Sequence, residues 1–284
     1  MRKFLLLALL ALAPLRASAQ APPKSAFFIT SDGVRLHYLE AGSGPTMVFL
    51  PGWTMPGWIW GRQLAQFSQR YHVIAVDPRS QGASAKPPDG NYPERRARDY
   101  RELLQHLKVA RAVLVGWSMA VPELMAYVDQ FGTSEIRGLV LVDGMVITDE
   151  SFLKIVPAWL RSMEMDRRGF TERFVKSMYK KQQPPRYLKR VIAASLLTPT
   201  SNAVALVIGS VGRPDWSPVL AKLAGTPVLF IGEDFMKKQA LAIAEKLPSL
   251  KTEIFEDAGH AIFVDDAQRF NTVLEKFVAS IGGK

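Results

Sequence analysis

The feature that most constrains the fold of this chain is a series of short apolar and β-branched segments. Most of these segments are continuously apolar, and such strands are usually buried on both faces, as in a parallel sheet covered by helices. The series has seven predicted strands, at residues 34–40, 46–50, 72–76, 112–116, 137–142, 226–231 and 251–255.

Segments with helical periodicity separate the last six predicted strands. Alternation of strands and helices of these lengths suits βαβ units, in which each helix covers a parallel sheet. The predicted helices lie at about 57–69, 93–107, 119–131, 236–247 and 262–280. The pattern therefore predicts an α/β fold with a mostly parallel central sheet flanked by helices.

One interval breaks the alternation, because roughly eighty residues separate the strands at 137–142 and 226–231. Helical patterns fill this interval, and the turn residues QQPP and TPTSN divide it. We expect a helical cap inserted at about 145–215. The predicted cap helices lie near 151–164, 169–182, 185–197 and 201–210.

Positive charge is concentrated in the predicted cap. The whole chain has a formal charge of +10, and segment 151–190 has eleven Lys or Arg residues against three acidic ones, which gives 11 − 3 = +8. Such a segment could attract anionic substrates or weakly contact an anionic membrane surface. The alternative is an ordinary solvated helical face.

The amino terminus has the pattern of a secretory signal peptide. Arg2 and Lys3 precede an apolar run at 4–15 that is too short to span a bilayer, and the small residues Ala17 and Ala19 form a cleavage pattern. We expect cleavage after residue 19, a mature chain starting at Gln20 and a periplasmic or secreted protein; the alternative is an uncleaved anchor. The chain has no cysteine, which excludes disulfides and a thiol nucleophile.

A candidate nucleophile lies between a predicted strand and a predicted helix. The segment from Gly116 to Ala120 reads GWSMA, with Ser118 at its centre. The G-x-S-x-G turn requires small residues two positions on either side of the serine, because the turn brings neighbouring groups close together. Alanine replaces the second glycine here, and it is still small. The alternative role for Ser118 is a helix N-cap.

A serine hydroxyl needs a base to remove its proton, and the chain has four histidines. His37 and His72 lie in predicted strands, and His106 lies in a predicted helix. His260 follows the last predicted strand on a glycine-containing loop and is therefore the candidate base. The alternative is a loop histidine that caps the final helix.

Several motifs, taken in order, resemble the α/β-hydrolase superfamily. They are PGWTMPGWIW after the strand at 46–50, DPRSQGAS after the strand at 72–76, GWSMA, the cap-sized insertion and DAGHAIF. The order of serine before histidine is also that of this superfamily. The resemblance covers nearly all of residues 20–284, and it implies an α/β-hydrolase fold with Ser118 as nucleophile and His260 as base.

Two carboxylates are candidates for the third member of a catalytic triad, which orients the histidine. Asp234 follows the strand at 226–231, in the usual acid loop of the superfamily, although one residue earlier than is common. Asp143 follows the preceding strand, which is the alternative acid position. We favour Asp234, because the length of that loop varies among relatives; Glu233 is a third candidate.

The resemblance also implies two backbone donors for the oxyanion that forms during acyl transfer, at Trp53 and Met119. Pro51 stands where relatives usually have histidine, but the donors belong to the backbone. Aromatic and methionine side chains lie near these turns in the sequence. Of these, Trp53, Trp117 and Met145 are the candidates for lining an apolar substrate pocket, and core packing is the alternative role for each.

The expected function is a serine carboxylesterase acting on small to medium acyl esters, with no cofactor and no metal. A lactonase, a perhydrolase and a carbon–carbon bond hydrolase use the same triad and stay open, as does a noncatalytic binding protein. A serine nucleophile disfavours the dehalogenase and epoxide hydrolase branches. No nucleotide-binding, metalloprotease or nucleic-acid-binding motif is present. The oligomeric state is left open.

Overall fold

An eight-stranded sheet forms the centre of the protein in a computed structural model that describes residues 22–282. The predicted signal peptide and its cleavage site lie outside the described residues. The strands are β1 (Lys24–Ile29), β2 (Arg35–Ala41), β3 (Thr46–Leu50), β4 (His72–Asp77), β5 (Ala112–Trp117), β6 (Ile136–Val142), β7 (Val228–Glu233) and β8 (Lys251–Phe255).

The order of strands in the sheet is β1-β2-β4-β3-β5-β6-β7-β8. Strands β3 to β8 run parallel, while β2 pairs antiparallel with both β1 and β4. Seven of the strands match those that the sequence predicts. The sequence analysis missed β1, an edge strand that is largely exposed and whose apolar run, AFFI, is only four residues long.

The helices are α1 (Gly61–Phe67), α2 (Pro93–His106), α3 (Ala120–Phe131), α4 (Glu150–Met165), α5 (Arg167–Ser177), α6 (Pro185–Ser195), α7 (Thr200–Val211), α8 (Lys237–Lys246), α9 (Ile262–Asp265) and α10 (Ala267–Ile281). Successive side chains of a strand point to opposite faces of a sheet. Along β5, Leu114 packs with residues of α2, α3 and α8, whereas Val113 and Val115 pack with residues of α1 and α10. Helices thus cover both faces, which explains the continuously apolar strands.

Four helices, α4 to α7, lie between β6 and β7, within the predicted cap at 145–215. Helices α4, α5 and α7 share a small apolar core that includes Val156, Met163, Phe170 and Leu206, and this core packs on Trp53 from the loop after β3. Helix α6 instead packs through Val191 with the core around α1 and α10. No single helix among residues 22–282 is long and apolar enough to cross a membrane. One bent pair, α6 with α7 at 84°, passes that test by length and composition alone.

The register of the parallel strands brings the ends of β3, β5, β6 and β7 together. Leu50 is level with Gly116, Trp117 with Val142, and Val142 with Ile231. Residues that directly follow these strands therefore meet at one edge of the sheet, the place where open α/β sheets commonly bind ligands.

Candidate active site

Ser118 follows β5 in a sharp turn that leads into α3. Its φ is +57°, in the left-handed region that residues other than glycine rarely adopt, and its backbone N–H donates to the Val142 carbonyl at 2.8 Å. A non-glycine residue in this region costs about 1–2 kcal/mol, which the surrounding structure must offset. The turn thus holds the Ser118 side chain out at the edge of the sheet.

Small neighbours make this turn possible. A Cβ atom on Gly116 would lie 2.5 Å from Leu124 Cδ1, and one on Gly52 would lie 2.9 Å from the Ser118 Cβ. Ala120 begins α3 and is completely buried in the core. The alanine that departs from the G-x-S-x-G pattern is therefore accommodated at the first turn of the helix.

His260 lies between Ser118 and Asp143, on the loop between β8 and α9. Its Nε2 atom is 2.9 Å from Ser118 Oγ, and its Nδ1 atom is 2.6 Å from Asp143 Oδ2. Because an ionised carboxylate only accepts hydrogen bonds, Nδ1–H is the donor to Asp143 and Nε2 is free to accept the serine proton. The Trp117 indole Nε1–H donates to the His260 carbonyl at 2.8 Å and so helps to hold the loop between β8 and α9 in place.

Asp143 follows β6 and is 3% exposed. Both carboxylate oxygens are engaged, since Oδ2 contacts His260 and Oδ1 accepts the Glu233 backbone N–H at 2.7 Å. Its own N–H donates to the Ile231 carbonyl at 2.7 Å, and its φ is +46°. The carboxylate is therefore held by the sheet end and presented to the imidazole.

The preference for Asp234 as the histidine's partner was wrong. The Asp234 side chain is 64% exposed and forms an ion pair with Lys237, one turn further along. The physical reason is that β7 extends through Glu233, so that Asp234 is already the first residue of the following helical turn and points to solvent. Asp143, the alternative, is the carboxylate that contacts His260.

Glu233, the third acid candidate, lies half-buried beside this pair. Burial, with a smaller contribution from the nearby Asp143 carboxylate, raises the pKa of Glu233 above its ordinary value. Asp143, Glu233 and His260 each offer one donor atom within 4.8 Å of the others, a spacing that could hold a metal ion. The hydrogen bond between Asp143 and His260 already explains why two of the three lie so close together.

The two predicted oxyanion donors lie on either side of Ser118. Trp53 belongs to the turn after β3, and Met119 directly follows the serine. Among the hydrogen bonds of residues 22–282, none is donated by the backbone N–H of Trp53 or of Met119. Both residues line the same cavity as Ser118.

The cavity above Ser118 has a volume of about 580 Å³ and lies between the sheet edge and the cap. Trp53 and Met145 line it, as predicted, but Trp117 does not. Trp117 is completely buried on the face of the sheet that α1 and α10 cover, where its ring packs edge-on against Phe263. The alternation of side chains along β5 places Trp117 in the core.

Cap aromatic residues that the sequence analysis did not single out form one wall of the cavity. Trp159 packs against Trp53 with 5.6 Å between ring centroids, and it meets Phe170 and Phe174 edge-on at 5.1 and 5.6 Å. Phe152 also lines the cavity. The spacing of Phe170 and Phe174 by four residues on a helix was the available signal, but it is equally typical of core packing.

A second serine–histidine–aspartate chain occurs away from the cavity. His37 Nε2 is 2.8 Å from Ser25 Oγ, and His37 Nδ1 is 2.8 Å from Asp77 Oδ2. Ser25 lies on the exposed edge strand β1 rather than in a strained turn. Neither Ser25 nor His37 lines the 580 Å³ cavity. This chain of hydrogen bonds therefore has a structural role and provides a matched control for Ser118.

The remaining histidines are also explained by packing. His72 Nε2 is 2.7 Å from Glu40 Oε1, between adjacent strands. His106 is exposed at the end of α2, where its ring stacks on Phe28 at 5.6 Å. Among the four histidines, His260 is the one that contacts a serine at the cavity.

The strand order, the turn at Ser118 and the inserted helices define an α/β-hydrolase fold. The chain belongs to the alpha/beta hydrolase family, whose model matches residues 47–273. The resemblance inferred from the sequence motifs is thereby confirmed. Relatives in this superfamily include esterases, haloperoxidases and epoxide hydrolases, which supports hydrolase activity on this fold.

Two relatives and one solved structure illustrate the range of similarity. The non-heme chloroperoxidase CPO-A1 of Kitasatospora aureofaciens is 25% identical over 268 residues, covering 88% of this chain and 98% of that protein. The soluble epoxide hydrolase of Corynebacterium sp. (strain C12) is 32% identical over 123 residues, only 43% of each chain. An esterase from Exiguobacterium antarcticum has a TM-score of 0.84 at 22% identity, covering 90% of this chain and all of that one.

Proposed function

We propose that the protein is a serine carboxylesterase that cleaves small to medium acyl esters through an acyl-enzyme intermediate. The observation that carries this proposal is the position of His260, which bridges Ser118 and Asp143 at the floor of an apolar cavity. A nucleophile within reach of a base that is itself oriented by a third group is the arrangement needed for nucleophilic acyl transfer.

In the proposed reaction, Ser118 Oγ attacks the ester carbonyl carbon while His260 Nε2 accepts the serine proton. The tetrahedral intermediate collapses when its bond to the alcohol oxygen breaks and His260 returns the proton to the leaving alcohol. Water, deprotonated by His260, then attacks the acyl-enzyme carbonyl carbon. The second tetrahedral intermediate collapses when its bond to Ser118 Oγ breaks, His260 returns the proton to Ser118 Oγ, and the carboxylic acid leaves. Asp143 holds the imidazole tautomer and stabilises the imidazolium that forms in both steps.

The backbone N–H groups of Trp53 and Met119 are the proposed donors to the oxyanion of each tetrahedral intermediate. Donors that are fixed in place before the reaction stabilise the developing charge without reorganisation, and the loss of one commonly costs about 10²–10³ in kcat. Their lack of other partners among the described hydrogen bonds supports this role.

The choice of an ester over an epoxide rests on the nucleophile. Attack of a serine on an epoxide carbon would leave an ether, which the same histidine-activated water cannot readily hydrolyse, whereas attack on an ester leaves a hydrolysable acyl group. The cavity volume of about 580 Å³ is within the usual range for small-molecule sites, and its mainly apolar lining suits acyl chains.

The test is initial-rate hydrolysis of p-nitrophenyl esters from acetate to laurate by the wild type and by Ser118→Ala and Ser25→Ala. We expect Ser118→Ala to lose at least about 10⁴-fold in kcat, because the nucleophile is gone. Ser25→Ala, which breaks the second serine–histidine contact, should retain wild-type activity. Equal activity in Ser118→Ala and the wild type would contradict the proposal.

A wild type that hydrolyses no ester would be examined with lactones and with a fluorophosphonate, which labels an activated serine. Labelling that is abolished by Ser118→Ala but not by Ser25→Ala would retain the serine nucleophile and redirect the search for the scissile bond. No labelling would favour a noncatalytic binding protein.

A second candidate is perhydrolysis, in which hydrogen peroxide replaces water in the attack on the acyl-enzyme and a peracid is released. The similarity to a non-heme chloroperoxidase over most of both chains favours this candidate, because a peracid can oxidise halide. The test is peracid formation from an ester and hydrogen peroxide. It should require Ser118 and should compete with hydrolysis of the same ester.

A further inference from the structure

A buried polar network lies beneath the turn that carries Trp53. Its central residues are Gln81 from the loop after β4, Arg96 from α2 and Glu123 from α3, and each is at most 1% exposed. Buried polar and charged groups are costly unless their partners are in place. The arrangement of these partners therefore indicates what the network holds.

One side of the network is a clamp on the turn. The Gln81 side-chain Nε2 atom donates to the Gly52 carbonyl at 3.0 Å and to the Met55 carbonyl at 2.7 Å. The two carbonyls bracket Trp53 and Thr54, and the Met55 N–H donates back to the Gly52 carbonyl at 3.1 Å. Thr54 has a φ of +57°, a strained value for a β-branched residue. The clamp thus stabilises a turn that is unfavourable by itself.

The other side of the network fixes Gln81. Its Oε1 atom accepts a hydrogen bond from Arg96 Nη2 at 3.0 Å, and Arg96 Nη1 lies 3.1 Å from Glu123 Oε1. The Tyr100 hydroxyl donates to the second oxygen of Glu123. Because one amide nitrogen faces two carbonyls and the amide oxygen faces a guanidinium, the Gln81 side chain has a single orientation that satisfies all its partners.

The network also reaches the second proposed oxyanion donor. Arg96 Nη1 is 3.9 Å from the Met119 sulfur, and Glu123 lies in the first turn of α3, directly after Met119. Arg96 Nε has no hydrogen-bond partner among the described residues. A buried donor without a partner costs free energy, so the network is not arranged for the greatest stability.

We infer that Gln81 is a positioning residue that holds the Trp53 backbone N–H in place for the oxyanion, and that Arg96 and Glu123 hold Gln81. This role rests on the proposed function, because it concerns the geometry of that reaction. The Trp53 indole also donates to the Ala203 carbonyl and the Thr54 hydroxyl contacts the Ser195 hydroxyl, but the Gln81 bonds are the side-chain contacts to the turn's own carbonyls. Catalytic groups must be held to within about 0.5 Å, so a turn that loses the two hydrogen bonds from Gln81 should stabilise the transition state less well.

The test compares Gln81→Met with Gln63→Met. Gln63 is also completely buried, and its Nε2 donates two hydrogen bonds, to the Phe263 carbonyl at 3.1 Å and to Asn271 Oδ1 at 2.9 Å, neither of which is in the turn after β3. Both substitutions retain the length of the side chain and remove two donated hydrogen bonds. Gln81→Met also removes the acceptor of Arg96 Nη2, whereas Gln63 Oε1 accepts no hydrogen bond among the described residues, so we expect Gln81→Met to lower thermal stability more than Gln63→Met does. Activities are therefore compared at a temperature at which both variants are folded.

The expected difference is in catalysis. We expect Gln81→Met to lower kcat by about 10–100-fold, part of the loss seen when an oxyanion donor is removed, with KM changed by less than about threefold. The affinity for a boronic acid that forms a tetrahedral adduct with the serine should fall by a similar factor. Gln63→Met should keep kcat within about twofold of the wild type.

A second variant, Gln81→Glu, keeps the acceptor for Arg96 but loses both donations to the turn. It should lose as much kcat as Gln81→Met, and it provides the test if the methionine variant does not fold. Wild-type kcat and boronate affinity in a folded Gln81 variant would overturn the inference.

Backbone hydrogen exchange at residues 53–55 separates failure of this inference from failure of the proposed function. We expect exchange in this segment to become faster in Gln81→Met but not in Gln63→Met, whatever reaction the protein catalyses. Unchanged exchange would overturn the positioning role. If exchange becomes faster in Gln81→Met but the wild type cleaves no ester, the positioning role stands and only the proposed function is contradicted.

Discussion

Replacement of Asp143 by asparagine tests the chemistry of the site most directly. Each oxygen of the Asp143 carboxylate has one partner, the Glu233 N–H at 2.7 Å and His260 Nδ1 at 2.6 Å. An asparagine offers only one oxygen and one NH₂ group in the same space. Because the Glu233 N–H needs an acceptor, the asparagine oxygen should remain with it and turn the NH₂ group toward His260.

This orientation reverses the histidine tautomer. Nδ1 would accept a hydrogen bond from the amide, the proton would reside on Nε2, and Nε2 could no longer accept the proton of Ser118. The change of tautomer and the loss of a negative charge beside the imidazolium together correspond to about 10⁴ in kcat, or about 5 kcal/mol in activation free energy.

The assay is kcat for the preferred p-nitrophenyl ester, with Asp234→Asn as the matched control. Asp234 is exposed and its ion pair with Lys237 is on the surface, so this variant should stay within about twofold of the wild type. Circular dichroism and thermal denaturation establish that both variants fold. A loss of less than tenfold in Asp143→Asn, or a greater loss in Asp234→Asn, would refute the reasoning.

Two further predictions concern the cavity. Burial raises the pKa of the half-buried Glu233 carboxyl, so its ionisation opposes folding; Glu233→Gln should therefore raise the thermal stability at neutral pH relative to the wild type, but not at a pH well below the ordinary carboxyl pKa. The same stability difference at both pH values would contradict this assignment, with Asp234→Asn as control. Trp159→Ala removes the centre of the aromatic wall, so the preferred acyl chain should become longer by several carbons in the p-nitrophenyl ester series. An unchanged preference would show that acyl chains bind elsewhere.

The two serine–histidine–aspartate chains show why hydrogen-bond geometry alone does not define a site. Their corresponding distances are similar, between 2.6 and 2.9 Å. Ser118 differs from Ser25 in its strained turn and in the cavity above it. These features follow from the position of Ser118 at the end of a central parallel strand, whereas Ser25 lies within an edge strand.

The sequence by itself determined the sheet, the cap and two members of the candidate triad. Continuous apolar runs identify central strands because both faces of such strands are buried, and this signal is local. The sequence identified Ser118 and His260 because each lies between a predicted strand and a predicted helix. The edge strand β1 was missed because it is largely exposed and its apolar run is only four residues long.

Only the tertiary structure decided which carboxylate meets His260 and what lines the cavity. Asp143 and Asp234 both follow apolar strands, and the choice between them depends on the residue at which β7 ends, which pairing with β6 and β8 sets. The core position of Trp117 and the clamp formed by Gln81 likewise depend on contacts between residues far apart in the chain. Local sequence patterns cannot specify such contacts, because they arise when separate elements pack together.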